Sequence, residues 1–144
     1  MKILAPIDGS KHSRKSLEFA CKFACMYGAK LIVLHVLHES PGSDTLTLGS
    51  ASVTIEASQD DLDTAAAGLF EAAREVAEAA GCTDVATVAM GGHPAQKILQ
   101  YASKHEVDII VTGSRGLSDL KGLLLGSVSH RINNLADCTC ITVR

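Results

Sequence analysis

The chain has 144 residues and a mass of 15.1 kDa, a size that one domain with one core accommodates. Its 47% hydrophobic and 20% charged residues exclude wholesale disorder. A net charge of −3, an isoelectric point near 6.0 and only 3% aromatic residues argue against a basic nucleic-acid surface or a base-stacking platform, and no apolar run is long enough to span a bilayer.

Met1 to Pro6 lacks a basic flank and a small-residue cleavage site, so Ile3 to Ile7 reads as a first strand and not as a signal peptide. Ser10 is placed to cap a helix in which Leu17, Ala20, Cys21, Ala24 and Cys25 recur at helical spacing, and Gly28 to end it. Leu31 to Val36 is a near-continuous apolar run, as expected for a strand covered on both faces. From His38 to Ser58 the composition shifts to Ser, Thr, Gly and Pro, which predicts a long functional or flexible loop. A helix follows from about Asp60 to Ala80, with an acidic start and an apolar stripe through Leu62, Ala66, Leu69, Ala73 and Val76; Gly81 stops it. Val85 to Met90 is a third strand, Pro94 opens a helix running through Lys104, and Asp108 to Thr112 is a fourth strand. A loop rich in Gly and Ser leads to a helix near Ser127 to Leu135, and Cys140 to Val143 closes as a fifth strand.

This alternation predicts an α/β fold with a parallel sheet and right-handed crossovers. Ligands of such sheets sit beyond the carboxyl ends of the strands, where the winding reverses, so the loops after the strands carry the interest. Chief among them is the stretch from Gly113 to Ser129. Gly113 and Gly116 directly follow a strand, where glycine permits positive φ and close approach of amides to an anion. Gly126, Ser127 and Ser129 stand where the next helix begins, so free amides and the positive dipole end would face the same place, and the serines would add hydroxyl donors. The pattern is neither a Walker A loop nor Gly-x-Gly-x-x-Gly. On spacing alone, phosphate binding and a mere strand-to-helix turn stay equally open.

The chain as a whole is similar to the universal stress protein family, in its ATP-binding branch. The resemblance rests on Gly113-x-x-Gly116, nine residues, then Gly126-Ser127, and covers essentially the full length, residues 1–144. It includes Ile3-Leu-Ala-Pro-Ile-Asp-Gly-Ser10, Leu34-His-Val36, Gly92-His-Pro-Ala95, Asp108-Ile-Ile-Val-Thr-Gly-Ser-Arg-Gly116 and Leu123-Leu-Leu-Gly-Ser-Val-Ser-His130. It implies a single domain with an open five-stranded parallel sheet of order 3-2-1-4-5 and helices on both faces, Rossmann-like and similar to the adenine nucleotide alpha hydrolases. It further implies a homodimer and an ATP site between strands one and four. Pro6, Ile7 and Asp8 would line the adenosine, with Asp8 on the ribose, and Val36 would meet adenine through its main chain. Thr112, Gly113 and Gly116 would hold ribose and phosphate, with Arg115 inside that loop, and Gly126, Ser127, Val128 and Ser129 would take the remaining phosphates. Two positions depart from the family pattern: Thr139-Cys140 replaces a Pro-Val pair before the last strand, and Thr112 stands where Met is common.

Other residues have plainer readings. Asp8 and Ser10 both suit helix capping. The six histidines show no paired ligand spacing, and Lys121 and Arg131 are ranked behind Arg115 as phosphate contacts. Five scattered cysteines without export signals read as reduced, small hydrophobes in a cytoplasmic protein, ahead of a metal or redox role. No catalytic residues and no metal ligands are assigned. The expected function is an ATP-binding, nucleotide-responsive regulator or partner-binding homodimer in stress response. Its partners would be an adenine nucleotide, with Mg²⁺ between phosphates, and an unknown protein, but neither nucleic acid nor membrane. The alternatives are a slow ATPase and a binding module for AMP or cyclic AMP.

Overall fold

A computed structural model describes residues 1–38, 44–48, 51–55, 58–117 and 125–144, with only the backbone described for 44–48 and 51–55. In chain order the elements are β1 (Lys2–Ile7), α1 (Lys11–Tyr27), β2 (Lys30–Leu37), β3 (Asp44–Leu48), β4 (Ala51–Ile55), α2 (Gln59–Ala79), β5 (Val85–Gly91), α3 (Pro94–Lys104), β6 (Ile109–Gly113), α4 (Ser127–Leu135) and β7 (Thr139–Val143).

Five strands form one parallel sheet in the order β5-β2-β1-β6-β7, which is 3-2-1-4-5 when its strands are numbered along the chain. β1 lies in the middle, with Ile3 opposite Leu31 on one side and Ile109 on the other. Strand alternation sends successive side chains to opposite faces. Ile3, Ala5, Ile7, Leu31, Val33 and Val111 therefore pack with Leu17 and Ala20 of α1 and with Leu62, Ala66 and Phe70 of α2. On the other face Leu4, Ile32, Leu34 and Ile110 meet Ile98 of α3 and Ile132 of α4. Each fully buried Leu or Ile contributes about 1.5–3 kcal/mol, and Ile3, Leu4, Leu31, Leu34, Ile110 and Ile132 all have negligible exposure.

Local chemistry sets the helix ends. The Ser10 Oγ accepts the Ser13 N–H at 3.1 Å, and Gly28, left-handed at φ 59°, returns its N–H to the Ala24 carbonyl. Ser58 and Asp61 form a reciprocal capping box on α2. Pro94 stands in the first turn of α3, where its missing N–H costs nothing.

The stretch from His38 to Ser58, expected as one long loop, instead contains an antiparallel hairpin in which Asp44 pairs with Ile55 and Leu48 with Ala51. Thr45 to Leu48 and Ser52 to Ile55 alternate polar and apolar residues, and the two residues between the strands in sequence, Gly49-Ser50, are a pair that short hairpins favour. Among the described residues no helix is long and apolar enough to cross a membrane.

Candidate functional site

The carboxyl ends of β1, β2 and β6 and the starts of α3 and α4 enclose a cavity of about 540 Å³. All twelve residues singled out in the sequence line it: Pro6, Ile7 and Asp8 from β1 and the turn after it, Val36 from β2, Thr112, Gly113, Arg115 and Gly116 from the end of β6, and Gly126, Ser127, Val128 and Ser129 from the start of α4. Leu34, Val36, Pro94 and Ile98 make one wall apolar. Gly113, Arg115, Gly116 and Leu117 and the first turn of α4 line the same cavity. Lys121 lies outside the described residues.

Each glycine has a distinct reason for its position. None of Gly113, Gly116 and Gly126 has positive φ; among the described residues the glycines that do are Gly9, Gly28, Gly81 and Gly92. The expectation of positive φ at Gly113 and Gly116 is therefore corrected: these positions need the missing Cβ. A Cβ on Gly113, the last residue of β6, would lie 2.7 Å from the carbonyl carbon of His12 and 2.8 Å from its oxygen, so the strand end abuts the first turn of α1. A Cβ on Gly116 would lie 2.6 Å from Asp8 Oδ2. Around Gly126 the space is ordinary, with Arg115 Cα nearest at 3.4 Å.

Two of the expected phosphate donors, the Gly126 N–H and the Ser129 hydroxyl, are already engaged. The Gly126 N–H donates to the Ser114 carbonyl at 2.7 Å, and the Ser114 N–H donates to the Val143 carbonyl at 2.7 Å. The Ser129 hydroxyl, in a buried residue, points at the Gly126 and Ser114 carbonyls, 3.0 and 3.3 Å away. The first helical bond of α4 runs from the His130 N–H to the Gly126 carbonyl, 2.9 Å. The N–H groups of Ser127, Val128 and Ser129 thus have no carbonyl in a preceding helical turn, and they form the positive end of the α4 dipole.

Asp8 does not cap α1; Ser10 does. Its Oδ1 accepts the Ser10 N–H at 2.9 Å and its Oδ2 accepts the Leu117 N–H at 3.2 Å, tying the end of β1 to the segment after β6. His35, which the sequence did not single out, also lines the cavity, and its Nδ1 is 2.8 Å from the Ile7 carbonyl. A carbonyl only accepts, so Nδ1 carries the proton. His38 lines the cavity too, with its ring 5.5 Å from that of His93, the residue before α3. Pro94 and Ile98 were also missed as lining; their i, i+4 spacing on α3 was the available signal.

A second cavity, about 490 Å³, lies between α1 and α2, with Leu17, Leu69 and Val76 in its walls and Arg14, Glu18 and Lys22 at its charged side.

The model of the universal stress protein family matches residues 1–144. The chain is 36% identical over 146 residues to universal stress protein YxiE of Bacillus subtilis, covering 99% of this chain and 98% of that one. Among solved structures it is similar to a universal stress protein in complex with cAMP, with a TM-score of 0.74 and 24% identity over 100% of this chain and 96% of that chain. It is also similar to the universal stress protein from Archaeoglobus fulgidus in complex with dAMP, with a TM-score of 0.70 and 19% identity over 100% and 98% of the two chains.

Proposed function

The chain belongs to the universal stress protein family, and we propose that it is an ATP-binding, nucleotide-responsive regulator acting through the cavity at the carboxyl ends of β1, β2 and β6. The observation that carries this reading is the convergence of an apolar wall and the start of α4 on one space. Leu34, Val36, Pro94 and Ile98 suit a base, and the Ser127, Val128 and Ser129 amides suit a phosphate. A volume of about 540 Å³ lies within the usual range for small-ligand sites, about 300–1,000 Å³. Arg115, in the loop after β6, adds a basic residue to the lining, and Mg²⁺ would enter with the phosphates of ATP to offset their charge. Asp8 lines the same cavity, and a ribose hydroxyl would donate to its carboxylate. No residue is assigned a catalytic step, and any hydrolysis of ATP is read as slow and incidental.

One observation favours a second reading, a mononucleotide such as AMP or cyclic AMP. With the Gly126 and Ser114 amides engaged, the three α4 amides are a set sized for one phosphate group. Structural neighbours solved with cAMP and dAMP are in keeping with either reading. Calorimetric titration with ATP, AMP and cyclic AMP, alongside mass spectrometry of small molecules released from freshly purified protein, tests both. ATP that co-purifies and gives saturable heat supports the first. Heat from the monophosphates but none from ATP selects the second, and no heat from any of the three at millimolar concentration removes the whole reading.

The family's assembly is read in the same way. Residues 1–144 act as one domain, and two copies pair through β7, which among the described strands pairs only with β6. Antiparallel addition of a second β7 would cover that edge. A monomer mass independent of concentration in sedimentation would overturn this. The β3–β4 hairpin lies in the segment after β2, and we read this segment as the nucleotide-dependent surface for a protein partner. Hydrogen exchange that is unchanged by nucleotide across 38–58 refutes that part. We read the five free thiols as those of a protein kept in a reducing compartment, the cytoplasm.

A further inference from the structure

Three of the five cysteines gather where α1 and α2 end, far along both helices from the cavity at the strands' carboxyl ends. Cys21 and Cys25 are one turn apart on α1, on the side of Arg14, Glu18 and Lys22 that faces α2. Cys82 follows Gly81, the left-handed glycine at the end of α2. The Cys25 thiol donates to the Gly81 carbonyl at 3.8 Å, which seats it on the residue bonded to Cys82. Cys82 and Cys21 are buried in the same core cluster, whereas Cys25 is exposed. The backbone beside each partner passes through a glycine, Gly28 at φ 59° and Gly81 at φ 73°, so small adjustments there meet no Cβ.

We propose that Cys25 and Cys82 are a peroxide-responsive thiol pair, with Cys25 as the reacting thiol and Cys82 as its resolving partner, whose oxidation staples the ends of α1 and α2 together. The Cys25 thiolate attacks one oxygen of hydrogen peroxide. The O–O bond breaks, hydroxide leaves and is protonated to water, and Cys25 becomes a sulfenic acid, oxidised by two electrons. Cys82 then attacks the Cys25 sulfur. The S–O bond breaks, and the departing hydroxide takes the Cys82 proton as a second water. The sum is two thiols and one peroxide going to one disulfide and two waters.

The environments divide the roles. Burial pushes the Cys82 thiol up, with Cys25 and then Asp84 adding to the effect, and burial takes Cys21 up to about 12. Burial also shields Cys82 and Cys21 from dissolved oxidant, so the first encounter falls to Cys25 at the surface, and Cys82 reacts only with the sulfenic sulfur held at the neighbouring Gly81. Among the described residues no three His, Cys, Asp or Glu side chains are arranged to hold a metal ion.

The test uses the full chain, treated with a small excess of hydrogen peroxide, alkylated and weighed intact. The expected product has two fewer alkylated thiols and is lighter by two hydrogens before alkylation. It yields a cross-linked peptide joining Cys25 to Cys82, and dithiothreitol reverses it. Cys25→Ser, an exposed substitution whose fold is checked by circular dichroism, slows thiol loss by about tenfold or more. Sulfinic acid accumulating at Cys25 while Cys82 stays alkylatable overturns the proposal. So do a Cys25–Cys25 bridge between chains and unchanged thiol loss in Cys25→Ser. The readout needs no nucleotide, so it stands or falls apart from the binding reading.

Discussion

Replacing Gly113 with Ala tests whether the end of β6 is built around a missing side chain. The added Cβ would sit 2.7 Å from the His12 carbonyl carbon, 2.8 Å from its oxygen and 3.0 Å from its Cβ. Two of those atoms are backbone in the first turn of α1, so no flexible side chain can swing aside. Relief requires α1 or β6 to move, and overpacking of this kind costs about 1–3 kcal/mol. Against it stands the lower entropy of the unfolded alanine chain, about 0.4–1 kcal/mol, which leaves a net loss of about 1–2 kcal/mol. For a chain of this size each kcal/mol is worth about 3–4 °C, so the melting temperature falls by about 3–8 °C. Gly126→Ala is the control: its φ of −70° suits any residue and its nearest neighbour would be 3.4 Å away. Ala is a poorer N-cap than Gly, by about 1 kcal/mol, and the lower entropy of the unfolded alanine chain offsets about 0.4–1 kcal/mol of that, leaving a shift of at most about 2 °C. Thermal unfolding followed by circular dichroism compares the two. Equal shifts for both variants, or a Gly113→Ala shift under about 1 °C, would refute the close-approach account.

Three further outcomes follow from the same geometry. Ser127→Asp puts a carboxylate at the positive end of α4; it is expected to hold or raise the melting temperature, by about 0.3–1 kcal/mol of dipole interaction, while lowering affinity for any nucleotide about tenfold or more, which calorimetry measures. Ser10→Ala removes the oxygen that receives the Ser13 N–H and is expected to cost about 1 kcal/mol in urea unfolding. Stability should also fall above pH 9: Cys21 is raised to about 12 when folded, so the unfolded chain ionises first, binds fewer protons and is favoured as pH rises, by up to about 1.4 kcal/mol per unit. Urea midpoints at pH 8 and pH 10 check this, and Cys21→Ala should flatten the difference.

The strands, helices and their caps were readable because each rests on a local rule, as Ser10, Gly28 and Pro94 show. Strand order is a long-range property, and only the family resemblance carried it. The hairpin at Asp44–Leu48 and Ala51–Ile55 was missed because Ser, Thr and Gly composition outweighed a period-two alternation in the reading. Within the site, residue identities were legible and their reasons were not. Gly113 and Gly116 look like positions for unusual φ, yet what excludes a side chain is His12 in one case and Asp8 in the other, partners remote in sequence. The engagement of the Gly126 amide by Ser114 is likewise invisible until β6 and α4 are seen side by side.

That last bond makes the Ser114 carbonyl a clasp. It receives the Gly126 N–H and faces the Ser129 hydroxyl, while the Ser114 N–H is anchored on Val143. The first turn of α4 is therefore registered against the sheet by bonds that bypass the chain from 115 to 125. Lengthening a connection adds only about 0.6 kcal/mol per doubling, so the register of α4 depends on these bonds more than on the length of chain between residues 117 and 125. A change in the length of that connection would leave the amides that α4 offers to an anion in register with the sheet.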